Sequence, residues 1–201
     1  MSKVKLFLFL ILFGLPAFAE IPVAFIYAKT GSDSLIEKEM KRGLEIFKKV
    51  CPEYRKEIKI DLFDNQGLVE KTLPLLNQIK NKGYPILVGL RDNEQAMFVS
   101  DYAENNDQIF ISPLATYSRI GLGKKNAFQL GANEIVQGGA LAEFAKSDLK
   151  RKRILILLNH RSVYSQSLAE GFKKALTEKK DIDLRQHISN DKDFNIEGLK
   201  I

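Results

Sequence analysis

Cysteine is almost absent from this chain. A single residue, Cys51, stands among 201. It cannot form an internal disulfide, so stability must come from a hydrophobic core, and the chain is not a disulfide scaffold. We read Cys51 as an inert residue at a helix end. Histidine is limited to His160 and His187, and no histidine or cysteine group has zinc spacing. The carboxylates in "DLFDN" and "SNDKDFN" lack the spacing of a calcium loop. Asp61 and Asp64 therefore read as residues that shape or solvate a strand end, the 190s read as exposed turn, and no metal is expected.

The signatures of common enzymes are missing too. No GxSxG elbow offers a serine on a strand-to-helix turn, and the two histidines have no evident nucleophile to serve. "AKTGSDS" follows the first strand without GxGxxG, and "GLGKKN" at 121–126 lacks GxxxxGK[ST] and reads as a mobile surface turn. No cofactor and no enzymatic activity are expected. His160 lies in a strand-end loop, where it either touches a ligand or hydrogen-bonds at the surface; His187 reads as exposed. The formal charge of +6 falls to +4 once Lys3 and Lys5 are set aside. That balance, without an aromatic-rich basic stripe, argues against nucleic acid. No repeat or low-complexity tract is present.

What is there begins with a leader. Residues 1–19, "MSKVKLFLFLILFGLPAFA", place two lysines before an apolar run from Leu6 to Leu15 and end in a small-residue step. This is the form of a cleavable export signal, too short for a membrane span and without a stop-transfer flank. No cysteine follows the step, so a lipid anchor is not expected. We place the mature chain in the periplasm or another extracytoplasmic space, with cleavage after Ala19.

Strands and helices then alternate. "IPVAFIYA" reads as a strand, and "SLIEKEMKRGLEIFKKV" puts Ile36, Met40, Leu44 and Phe47 at helical spacing, with Ser34 and Glu37 available for a capping box. "IKIDLF" is the second strand. In "LVEKTLPLLNQIK", Val69, Leu73, Leu76 and Ile79 share a face, and Pro74 either bends the helix or marks its true beginning. "YPILVG", a helix over Asn93–Tyr102, "QIFIS", "AFQLG" and a helix over Ile135–Phe144 follow. "LKRKR" is a solvated junction, beyond which "ILILLN", a helix and "DIDLRQH" begin a second unit. Short buried strands separated by helices predict an α/β sheet with helices on both faces. The units expected are a leader (1–19), a first lobe (20–148) and the beginning of a second lobe (149–201).

Ligands in such sheets bind beyond the carboxyl ends of strands. That rule selects "AKTGSDS", "GLRDNEQ", "SPLATYS" and "NHRSVYS", all rich in hydroxyl, amide or charged groups. The whole resembles the type I periplasmic solute-binding proteins, especially the leucine/isoleucine/valine-binding branch. The resemblance runs from Ile21 to near Leu176, carried by "VAFIYAKTG", "GLEIFKKV", "ILVGLRDNEQAMFVSDYAENNDQIFISPLAT", "FQLGANEIVQGGALAEFA" and "RILILLNHRSVYSQSLAEGFKKAL".

The resemblance implies a type I periplasmic-binding-protein fold with a Rossmann-like first lobe. It implies a small polar solute such as an amino acid, enclosed by lobe closure and presented to the membrane subunits of an ABC importer. It implies ligand contacts at Thr30, Arg91, Leu114, Thr116 and Tyr164; Thr116 either donates its hydroxyl beside backbone N–H groups or only shapes the turn, and Tyr164 either covers the solute or packs at the start of its helix. Arg91 departs from the small residue of the leucine-binding pattern; it either takes a carboxylate bidentately or pairs with Asp92 at the rim. The family needs further crossings after those present here, so an incomplete second lobe is expected, completed by C-terminal sequence or another chain. The alternative function is a non-transport envelope interaction or regulatory domain with a degenerate cleft.

Overall fold

The computed structural model describes residues 20–30, 34–177 and 182–189, without the side chains of 34–37, 55 and 187–189. The leader, the capping box, Ile36, the His187 side chain and the tract beyond 189 lie outside the described residues.

Five strands form one parallel sheet: β1 (Ile21–Tyr27), β2 (Ile58–Asp64), β3 (Ile86–Gly89), β4 (Ile109–Ser112) and β5 (Ala127–Gln129). Their spatial order is β2-β1-β3-β4-β5. β1 has four consecutive buried residues, Val23 to Ile26, as a strand covered on both faces requires. Its register sets Val23 between Ile60 and Ile86, and Ile26 between Phe63 and Gly89. Three helices make the crossovers: α1 (Ser34–Val50), α2 (Val69–Asn81) and α3 (Asn93–Asn105). β4 reaches β5 through a loop. The core between helices and sheet is built on Ala24, Ile26, Leu76, Ile79, Leu87, Val99 and Phe110.

The buried face of α2 differs from the expected one. Thr72, Leu76 and Ile79 are buried, whereas Val69 and Leu73 are exposed. The helix is rotated so that a threonine enters the core. This is tolerated because the Thr72 hydroxyl donates to the Leu68 carbonyl at 3.0 Å and accepts from Asn65 Nδ2 at 3.3 Å. Pro74 lies inside α2, so it does not mark the start. Fully buried Asn65 also donates to Gln95 Oε1 at 2.7 Å and accepts from the Gly67 amide at 3.0 Å. Gln95 Nε2 in turn reaches the Gly67 carbonyl at 3.1 Å. These paired groups fasten the amino end of α3 to the end of β2, in a medium where unpaired ones would be costly.

Two further strands, β6 (Arg153–Asn159) and β7 (Asp183–Ser189), form a separate parallel pair. α4 (Glu134–Glu143) ends in a π-helical turn over Phe144–Asp148, and α5 (Val163–Leu176) joins β6 towards β7. α4 packs chiefly on α5, so the boundary expected at 148/149 leaves α4 on one side of its main contact. Two glycines allow the helices to touch: a Cβ on Gly138 would lie 2.2 Å from the Leu168 carbonyl oxygen, and one on Gly171 would lie 2.3 Å from that of Ile135.

Candidate ligand-binding cleft

The strand order reverses at β1, between β2 and β3, and the carboxyl ends of β3 and β4 open on one side. There the chain leaves β3 under constraint. A Cβ at Gly89 would lie 2.0 Å from the Ile26 carbonyl oxygen, so β1 and β3 approach too closely for a side chain. The next residue, Leu90, has φ 66° although it is not glycine, and its side chain is buried. Past this turn the exposed Arg91 reaches the solvent side. Asp92 caps α3, accepting from the Gln95 amide at 2.8 Å.

A cleft of about 590 Å³ opens here. Its first wall is Arg91, Asp92, Asn93 and Glu94 from the β3 loop, with Leu114 and Thr116 from the β4 loop. The opposite wall is Gln137 of α4 with Ser162, Val163 and Tyr164 at the start of α5. The volume suits a small metabolite.

Behind the first wall lies a network with a buried carboxyl at its centre. Asn93 Oδ1 accepts from the Thr116 amide at 2.8 Å and the Tyr117 amide at 3.1 Å. Asn93 Nδ2 donates to Glu134 Oε1 at 2.6 Å, and the Thr116 hydroxyl reaches the same oxygen at 2.8 Å. The Glu134 amide donates to the Thr116 carbonyl at 3.2 Å. Glu134 is 0% exposed, and its Oε2 has no protein partner. α4 is thus tied to the cleft loop through its first residue, by main chain and side chain together.

Three helices start at or beside this cleft. Each has a capping side chain: Asp92 for α3, Asn133 for α4 and Ser162 for α5. Their amino ends carry partial positive charge and, with Arg91, favour an anionic group, while Asp92 and Glu94 oppose a second one. Among the described residues no group of His, Cys, Asp and Glu is disposed to hold a metal ion, and no helix is long and apolar enough to cross a membrane.

Of the five residues expected at a ligand, Arg91, Leu114, Thr116 and Tyr164 line this cleft. Thr30, exposed in the loop after β1, is not among the lining residues. The His160 side chain is exposed, and its carbonyl accepts from Gln166. One expectation is corrected: the Thr116 hydroxyl does not stand ready to donate to a ligand, because it is hydrogen-bonded to Glu134. The "GLGKKN" segment is a surface turn in which Lys124 Nζ lies 2.7 Å from Asp101 and 2.7 Å from Ser100 Oγ. Asn93, Glu134, Gln137, Ser162 and Val163 were missed. Asn93 lies inside a strand-end loop that the ligand rule selects. Glu134 follows a capping asparagine, where an acid reads as a partner of the helix dipole.

A sequence model of the periplasmic binding protein family matches residues 20–194. A Leu/Ile/Val-binding protein homolog from Brucella melitensis is 24% identical over 169 residues, covering 82% of this chain and 46% of that protein. The chain thus spans less than half the length of that curated relative. Among solved structures, a leucine binding protein from Thermotoga maritima superposes with a TM-score of 0.74 at 20% identity, covering 88% of this chain and 51% of that one. A solute binding protein of an ABC transporter from R. palustris, in complex with 4-hydroxybenzoate, gives 0.75 at 14% identity, with coverages of 88% and 49%. These likenesses establish the two-lobed α/β fold of type I periplasmic binding proteins.

Proposed function

The chain belongs to the periplasmic binding protein family, and from that premise we propose that it is an exported solute-recognition component of an ABC-type importer, in the group of the Leu/Ile/Val-binding proteins it is similar to. The solute is an amino acid or a similarly small polar acid, bound reversibly without covalent chemistry. The observation that carries this reading is the cleft itself: about 590 Å³, walled by Arg91, Leu114 and Thr116 on one side and Tyr164 on the other. Tyr164, 45% exposed, offers a ring face and a phenol to anything held there. Closure follows from a solute that binds the closed arrangement better than the open one.

Export with cleavage after Ala19 belongs to the same proposal, supported by a family match that begins at residue 20; the amino-terminal residue of the exported product tests it. The membrane subunits of an importer are the proposed partners.

The test is thermal stability of the purified chain against amino acids, dicarboxylates, small amides and aromatic acids. A solute at a hundred times its Kd adds about 2.7 kcal/mol. Stabilisation by one chemical class, weakened by Thr116→Ala, supports the proposal. A cooperative melt that no compound shifts favours the second reading, a non-transport envelope interaction domain. That reading draws on one observation: the Thr116 and Tyr117 amides are already occupied by Asn93.

A further inference from the structure

The network behind Thr116 determines which way its hydrogen bonds point. Two backbone N–H groups converge on Asn93 Oδ1, at 2.8 and 3.1 Å, so the carboxamide has only one orientation and its Nδ2 must face Glu134. A carboxyl oxygen that accepts a 2.6 Å bond from an amide N–H is an acceptor, and the Thr116 hydroxyl lies 2.8 Å from that same oxygen. The single hydroxyl hydrogen of Thr116 is therefore directed inward. Thr116 therefore meets the cleft as an acceptor, and the two amides that would welcome a carboxylate are already paired.

We propose that Glu134 is a positioning residue that sets this polarity, so that the cleft selects a solute carrying an N–H or O–H donor at the Thr116 wall and excludes a carboxylate from the Thr116 and Tyr117 amides. The solute class is a small acid with an amino or hydroxyl group, its anionic end lying away from that wall. The role accounts for a glutamate that is 0% exposed yet leaves Oε2 without a protein partner. A residue placed for stability alone has no reason to bury a half-satisfied carboxyl. Its side chain instead orients Asn93 and Thr116, while its amide holds the Thr116 carbonyl at 3.2 Å.

This inference rests on the solute-binding proposal and is tested by matched probes: L-leucine against 4-methylpentanoate, and 4-hydroxybenzoate against benzoate, by calorimetric titration of the full chain. The expected result is about a tenfold preference for the donor-bearing member of at least one pair. Glu134→Ala releases the Thr116 hydroxyl and reduces that preference to about twofold, Glu134→Gln retains it because the amide oxygen still accepts, and Thr116→Val abolishes it. A merely structural role predicts that Glu134→Ala weakens both members equally, which overturns the proposal. Should Glu134→Ala not fold, Thr116→Val decides the donor preference, and wild-type amide exchange decides the network: fast exchange at Thr116 and Tyr117 overturns it. Binding without donor preference removes the polarity alone. Binding by none of the four acids removes the solute reading, and the polarity with it.

Discussion

Replacing Gly138 by alanine tests whether the α4–α5 seam is as close as the backbone indicates. The new Cβ would meet the Leu168 carbonyl oxygen at 2.2 Å and the Phe172 nitrogen at 2.6 Å. Both are main-chain atoms, so no side chain can swing aside. The helices must part until the first distance rises from 2.2 Å to at least 3.4 Å, where ordinary contact begins. Overpacking of this kind costs about 1–3 kcal/mol, and rigid backbone on both sides argues for the upper end. Alanine returns about 1 kcal/mol of helix propensity. The net loss is about 2 kcal/mol, or roughly 4–8 °C in Tm for a chain of this size. Gly139 supplies the control, because its Cβ would meet nothing within 4 Å; Gly139→Ala should be neutral or stabilise by up to about 1 kcal/mol. Urea unfolding of the three proteins, followed by far-ultraviolet circular dichroism, measures the gap. If Gly138→Ala matches Gly139→Ala within about 0.5 kcal/mol, well inside the propensity gain alone, the close seam is wrong.

Three further outcomes are expected. Tyr84 donates its hydroxyl to Asp61 at 2.6 Å, which holds the Asp61 pKa below its ordinary 3.8, helped by Lys59, and raises that of Tyr84 above 10.0. The Asp61 contribution is present above 3.8 and lost as pH falls through the lowered value; the Tyr84 contribution is present below 10.0 and lost as pH rises through the raised one. Tyr84→Phe should therefore cost about 1 kcal/mol on the plateau between those limits and flatten both limbs of a stability profile; an unchanged profile would contradict the pairing. Asp92→Ala removes the cap of α3 and should cost about 1 kcal/mol in urea unfolding, while Asp92→Asn should cost less. Lys124→Met leaves Asp101 and Ser100 Oγ without their common partner, and is expected to speed amide exchange across 118–126 while β1 is unaffected; uniform change would show that the lysine does not act locally.

Much of the architecture was legible because period and punctuation agree. Val23 to Ile26 form an apolar run too short for a helix, the strand-end rule selected the loops that meet at the cleft, and the family resemblance singled out Arg91, Leu114, Thr116 and Tyr164 within them. The face of α2 was misread because Leu73 and Val69 fit the helical period as well as Thr72 does; only the partners of Thr72, Leu68 and Asn65, show why a hydroxyl belongs inside. Glu134 was out of reach for a similar reason. Next to a capping asparagine it looks like an exposed acid of a first turn, and its burial depends on Asn93 and Thr116, which are distant in sequence. The direction of the Thr116 hydroxyl follows from that arrangement and from no local pattern.

The strand order β2-β1-β3-β4-β5 also governs how the protein comes into being. β1 is made first among the strands yet lies in the interior of the sheet, so one edge waits for β2 and the other for β3. Between synthesis of Tyr27 and of Ile86, at about 5–20 residues per second, roughly 3–12 s pass in which the apolar segment "IPVAFIY" has at least one unpaired edge. Parallel pairing through crossovers is intrinsically slow, so refolding yield should fall as protein concentration rises, with the first strand of the chain as the segment that self-associates.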